Sequence, residues 1–156
     1  KEQYLEYLKT VFPQSLIQDI VWHGSRSKEK FSNFKDDTEK GIYFTSNPEY
    51  ADQFGGKYYK DGINFFQRPE GESGIYAAII NVTNLYESTK PINSETVYDS
   101  LKDFNPKDRP QSCDGVKGVD KFNESKGTTY VVFKSEQIHI LGSKVDLEKF
   151  KDFVAE

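Results

Sequence analysis

Val21-Trp22-His23-Gly24-Ser25-Arg26-Ser27, answered further along by Lys40-Gly41-Ile42-Tyr43-Phe44-Thr45-Ser46, decides how this chain is read. The first stretch is a short apolar strand running into a polar, glycine-bearing loop. The second is a glycine followed by strand-forming residues and then Asn47-Pro48, which suits the start of a helix. In each, a ring-bearing polar residue, His23 or Tyr43, sits close to a glycine. A residue without a side chain lets a ligand approach the backbone. Two such segments suit a flat aromatic ligand held by backbone hydrogen bonds and ring stacking.

Working outward, residues 3–9 place Tyr4, Leu5 and Leu8 on one helical face that ends at Phe12-Pro13. Ser15 caps a short segment over 16–20 that leads into the first strand. Residues 25–40 form a charged surface loop tacked down by Phe31 and Phe34. Asn47 is an N-cap with Pro48 at the first helical position, and the short helix over 49–54 is stopped by Gly55-Gly56. Residues 57–73 are polar and turn-rich and read as a long irregular loop. The near-continuous apolar run 75–82 is a buried strand. A helix is predicted over 94–104 with Val97, Leu101 and Phe104 inward. Strands follow at 114–119, 128–133 and 138–141, then a terminal helix over 147–154 carrying Leu147, Phe150 and Val154. Helices in front and between, with strands crowded behind, make the class α+β, a small split sheet flanked by short helices.

A chain of 156 residues is one domain, 1–156, long enough for a real core. It begins at Lys1 and has no methionine, so it reads as a domain excised from a longer polypeptide. Many of the ten tyrosines and twelve phenylalanines must be core, and such richness also supplies stacking surfaces. A net charge of −4 argues against a protein held on the nucleic-acid backbone, which needs clustered cations. Cys113 is alone, and His23 and His139 belong to no ligand-spaced cluster, so neither a disulfide nor a metal is expected. No apolar run approaches the ~20 residues that cross a bilayer, and no signal peptide is expected from these residues.

The order His23-Gly24-Ser25-Arg26, then Gly41-Ile42-Tyr43-Phe44 with Ser46-Asn47-Pro48 and Ala51 in the helix behind it, then Tyr130-Val131-Val132-Phe133 with Gln137-Ile138, resembles the ADP-ribosyltransferase fold. Within it the chain is similar to the His-Tyr-Glu branch, which includes the poly(ADP-ribose) polymerase catalytic domains. The likeness is greatest to ADP-ribosyltransferase domains of polyvalent proteins in large phages and mobile elements. They share the Asp114-Gly115-Val116 strand and an ending like Glu136 to Ser143. The resemblance runs from about Ile20 to Leu141. Any one of these motifs is weak, and three in order are specific.

That resemblance implies NAD as the substrate and no metal. His23 would hydrogen-bond a ribose hydroxyl on the adenosine side. The Gly24 backbone would clamp the nicotinamide carboxamide, with Ser25 assisting. Tyr43 would stack on the nicotinamide ring, and Phe54 would sit near the second stacking position. Arg26 would meet a phosphate of NAD, or equally a surface carboxylate. The family's glutamate stands immediately before the Tyr130 strand, eight residues ahead of the glutamine, and here that position is Thr129. The signature thus reads His-Tyr-Thr. In the family, losing the glutamate goes with single ADP-ribose transfer or with inactivity. Glu136 is the nearest carboxylate in the motif, and Glu124 in the preceding loop is another. Thr129 is either a hydroxyl donor to ribose or a β-propensity filler.

Alone, each residue has a plainer reading: His23 and His139 as satisfied core histidines, Tyr43 as core, Asp114 as the orienter of a turn. Order and spacing favour the ligand role for His23 and Tyr43, and the plain one for His139 and Asp114. The expectation is a monomeric, NAD-dependent mono-ADP-ribosyltransferase acting on a macromolecule in a bacterial cytoplasm, with a protein acceptor favoured over nucleic acid. The rival is an NAD- or ADP-ribose-binding module that has lost turnover. A third is a pocket for another nucleotide-like ligand or a protein partner.

Overall fold

The two opening stretches become antiparallel neighbours, β1 (Val21–Gly24) and β2 (Ile42–Thr45). They belong to a computed structural model that describes residues 1–31, 33–94, 98–119 and 127–156. Around them run α1 (Glu2–Val11), α2 (Pro48–Gly55), β3 (Tyr58–Asp61), β4 (Asn64–Gln67), β5 (Ile75–Ile80), β6 (Leu85–Glu87), β7 (Gly115–Gly118), β8 (Thr129–Val132), β9 (Ile138–Ile140) and α3 (Lys144–Ala155). Seven strands form one sheet in the order β6-β7-β8-β2-β1-β5-β9, and β3 and β4 pair separately. β6 lies parallel to β7 and the other strand pairings are antiparallel, so the sheet is mixed and the class is α+β.

The sheet is continuous, but only just. β1 and β2 register at one residue pair, Trp22 with Thr45. On their outer edges both pair in full, β1 with β5 and β2 with β8. Beyond Trp22 and Thr45 the two strands part, and the site described below lies at the opening.

Side-chain alternation sorts the residues between two faces. Val21, Phe44, Tyr76, Ala78, Ile80 and Val132 share one core with Ile17, Phe34 and Val82. On the opposite face the apolar residues divide. Val116, Val131, Ile92 and Phe133 gather beneath one half of the sheet, and Ile79 meets α1 and α3 through Tyr7, Leu8, Phe150 and Phe153 beneath the other. Val131 and Val132 are both fully buried, so β8 is covered on both faces. Each such side chain contributes about 1.5–3 kcal/mol through burial.

Asn47 caps α2 as expected, its Oδ1 accepting the Glu49 N–H at 3.0 Å, with Pro48 opening the helix. Gly56 has a right-handed φ of −61°, so the glycine pair does not end the helix by a left-handed turn. Its reason is proximity, because a Cβ on Gly55 would collide with the backbone of Ser25. In α1 the inward face is Tyr4, Tyr7, Leu8 and Val11, and Leu5 is half exposed. In α3 Phe150 and Phe153 pack inward, while Leu147 and Val154 are exposed.

Three expectations are corrected. Residues 98–104 are turns, not helix: Leu101 is exposed, and Phe104 returns to bridge Ile92 in parallel and stack on Tyr86. Val97 lies outside the described residues. The loop expected over 57–73 contains the β3–β4 hairpin, closed by a two-residue turn with Gly62 at φ +65°. Ser15 caps no helix; its hydroxyl donates to the Ile80 carbonyl and accepts the N–H groups of Ile17 and Val82, stitching the N-terminal segment to the end of β5. Among the described residues no helix is long and apolar enough to cross a membrane.

Candidate functional site

A cavity of about 280 Å³ opens where β1 and β2 part. Trp22, His23 and Gly24 line it from β1, Tyr43, Phe44 and Thr45 from β2, and Thr129 from β8. The wall above is α2, through Tyr50, Ala51 and Phe54. The remaining side is Ile92, Asn93 and Ser94. His23, Gly24, Tyr43, Phe54 and Thr129, scattered over more than a hundred positions of sequence, therefore meet at one concave site.

The backbone explains why the opening suits a polar planar group. Ser25 donates its N–H to the Gly74 carbonyl at 2.8 Å, extending the β1–β5 ladder by one rung. In an antiparallel ladder the backbone groups of alternate residues point to opposite neighbours. Val21, His23 and Ser25 thus serve β5, while Trp22 and Gly24 turn toward β2. At Gly24 β2 has already moved away, so the Gly24 N–H and C=O face the gap. Gly24 cannot be replaced quietly, because a Cβ there would collide with the Ala51 carbonyl of α2.

His23 occupies the opening from the other face of the sheet. Its ring stands edge-on to Phe34, with centroids 4.8 Å apart at 87°. Nδ1 lies 2.6 Å from the Tyr43 carbonyl. With Nδ1–H as the donor, it replaces the ladder bond that parting strands have lost. Burial pushes the His23 pKa below its ordinary value, more than the Tyr43 carbonyl raises it. The ring is neutral near pH 7, with the proton on Nδ1 and the Nε2 lone pair available to accept from a ligand hydroxyl.

Tyr43, Thr45 and Thr129 share the face turned to α2, since Thr45 is paired with Thr129 and Tyr43 with Val131. Tyr50 and Phe54, one helical turn apart, meet edge to face at 5.0 Å. Rings from β2 and α2 thereby border the same space. Thr129 is 3% exposed and lies between Thr45 and Gly118 across the sheet.

Three predicted residues fall elsewhere. Ser25 does not line the cavity; its hydroxyl accepts the Ser27 N–H, and its carbonyl accepts from Arg68. Arg26 projects into an adjacent cleft, its guanidinium 5.7 Å from the Phe54 ring centroid and 5.6 Å from that of Phe65. Glu136 is exposed in the turn after β8. The turn is closed by Gln137, whose Oε1 accepts the Phe133 and Lys134 N–H groups while Nε2 donates to the Asn81 and Asp114 carbonyls. That leaves Glu136 on the solvent side. Glu124 lies outside the described residues. None of the described residues lining the cavity is a carboxylate.

Other residues had escaped the sequence reading. Asn93 is 2% exposed and donates through Nδ2 to buried Asp103 at 3.0 Å. Tyr50 was legible from its i, i+4 relation to Phe54; Asn93 and Ser94 carried no local signal. Arg68 fastens the base of β4 to the loop after β1, donating to the carbonyls of Gly55, Ser25 and Ser27. The Asp114 carboxylate accepts the N–H groups of Thr83 and Asn84, which makes it a turn organiser. His139 donates through Nε2 to Asp146 at 2.6 Å beneath α1 and α3, away from the cavity. Among the described residues no group of three or more His, Cys, Asp or Glu could hold a metal ion. No protein-family model matches the chain, and no curated protein does.

Proposed function

We propose that the cavity binds the nicotinamide end of NAD and that the chain is an ADP-ribosyltransferase of the His-Tyr-Glu type, transferring single ADP-ribose units. The observation that supports this most is the open backbone pair of Gly24 beside the rings of Tyr43 and Phe54. An N–H and a C=O on one residue complement the C=O and NH2 of a carboxamide, and the flanking rings suit an aromatic heterocycle. At about 280 Å³ the cavity is at the small end of ligand sites and would take the nicotinamide and its ribose. The rest of the dinucleotide would lie along the open side, where His23 Nε2 accepts from a hydroxyl.

In this reading the bond from ribose C1 to the nicotinamide nitrogen breaks with the electron pair leaving on nicotinamide. The ribose then carries oxocarbenium character, and an acceptor nucleophile bonds to C1 and gives up its proton. Stacking and the Gly24 clamp hold the leaving group so that binding is used in the transition state. Thr129 supplies a hydroxyl where the family has a carboxylate. A second reading, a module that binds NAD without turnover, draws on one observation: the absence of a carboxylate among the described lining residues.

The test is nicotinamide release from NAD by the isolated chain. Release should disappear in His23→Ala and Tyr43→Ala and rise in Thr129→Glu. No release, with NAD still raising the melting temperature, selects the binding module. If neither NAD nor nicotinamide binds, both readings are wrong.

A further inference from the structure

The net charge of the chain conceals its distribution. Residues 26–30 and 54–68 carry Arg26, Lys28, Lys30, Lys57, Lys60 and Arg68 against only Glu29 and Asp61. This region is therefore positive by four in a protein that is negative by four. It also holds the most exposed aromatic rings near the site. β3–β4 stands apart from the main sheet, and all four residues of β4 are exposed. Tyr58 is 53% exposed and Phe65 54%.

The register puts Tyr58 opposite Gln67 and Lys60 opposite Phe65, so these four share one face of the hairpin. On that face two rings lie on a diagonal, with a lysine and an amide between them. The Arg26 guanidinium sits over Phe65 and Phe54, fixing a cation against the rings. The cleft between hairpin and α2 is lined by Arg26, Lys57, Tyr58 and Phe65, with Asp52 the one carboxylate among the described residues lining it. Phe54 lines both this cleft and the cavity at β1–β2, so the two are neighbours.

We propose that this hairpin face binds single-stranded nucleic acid, with bases stacked on Tyr58 and Phe65 and phosphates met by Arg26, Lys57 and Lys60. Exposed rings on a strand surface, interleaved with cations, are what an unpaired strand requires: every base offers a π face and every nucleotide a negative charge. An acidic polypeptide would use the cations and leave the rings without a purpose. A duplex would keep its bases stacked on one another. The surface lies beside the cavity and stands whether or not NAD is turned over there.

Fluorescence anisotropy of a labelled oligothymidylate, without dinucleotide, tests the proposal on the full chain. Binding should weaken steeply with added salt. A Tyr58→Ala, Phe65→Ala double variant, checked by circular dichroism for an unchanged fold, should bind about 10- to 100-fold more weakly. Lys57→Glu with Lys60→Glu should lower both the affinity and the salt slope. No binding by the folded protein at low salt overturns the proposal, as does equal binding by the ring variant. A poly-glutamate peptide competing as well as the oligonucleotide also overturns it, and points to an acidic protein partner. Because NAD is absent, failure here leaves the nicotinamide-release result untouched.

Discussion

Gly24 has no side chain because the Ala51 carbonyl stands where one would be. That close approach lets α2 bring Tyr50 and Phe54 over the gap between the strands. Gly24→Ala should push α2 outward, at a cost of about 1–3 kcal/mol for overpacking, and should abolish ligand-induced stabilisation of the fold. Thermal melts with and without NAD check both effects. An alanine variant that melts normally and still responds to NAD would mean that neither the contact nor the clamp matters. That His23, Gly24 and Tyr43 stand in short strands at or near a glycine was legible in the sequence, because each lies in a short motif whose backbone conformation is local. Ser25 stands outside the cavity, its hydroxyl accepting the Ser27 N–H within its own turn. The side on which Glu136 falls was not legible, because proximity in sequence says nothing about which side of a turn Gln137 leaves to solvent.

Among the elements, α1 and α3 depend on a single carboxylate. Asp146 is fully buried and accepts from the Tyr4 hydroxyl at 2.5 Å, from His139 Nε2 at 2.6 Å and from the Gly142 N–H at 2.9 Å. Burial by itself would raise its pKa, but the hydrogen bonds from Tyr4, Gly142 and His139 prevail and hold it below the ordinary carboxylate range. A carboxyl depressed in the folded state stabilises fully above its unfolded value of about 4. That stabilisation is lost as the pH falls through the lower, folded value. Asp146→Asn should cost about 3 kcal/mol at neutral pH by leaving buried donors facing an amide. It should also flatten the acid limb of the stability–pH curve. Urea titrations at several pH values check this, and an unchanged acid limb would place the acid sensitivity elsewhere. β5 was readable from its near-continuous apolar run, and α2 from the Asn47-Pro48 start and the glycine pair behind it. The hairpin was not, because its Tyr58-Tyr59 and Phe65-Phe66 doublets give no alternation and largely face solvent. Gly62, at the first position of the two-residue turn, was the signal available. The helix expected over 94–104 rested on apolar spacing, and exposed Leu101 shows that such spacing need not be a buried face.

Across the whole molecule, the class and most of the strands were visible in the sequence, whereas their order was not. β1 pairs with β5, and β2 with β8, across long stretches of intervening chain. No local signal encodes those partners; they follow from burial that exists only once the sheet is assembled. The charge asymmetry has the same character, since composition averages over a surface that topology divides.

The single rung joining Trp22 to Thr45 bears on time as well as on shape. Each half of the sheet must close long loops before burial compensates, which makes folding slow. A seam of one ladder pair and the His23–Tyr43 hydrogen bond contributes little until both halves exist, so it is expected to form after the rate-limiting step. Trp22→Ala should steepen the escape from the folded state and leave the approach to it unchanged. Stopped-flow chevrons would show this as a raised unfolding limb over an unmoved refolding limb, and a shift of the refolding limb would mean that the seam forms early. A ligand seated in the gap would then govern how long each molecule remains folded, and would have no say in how quickly it became so.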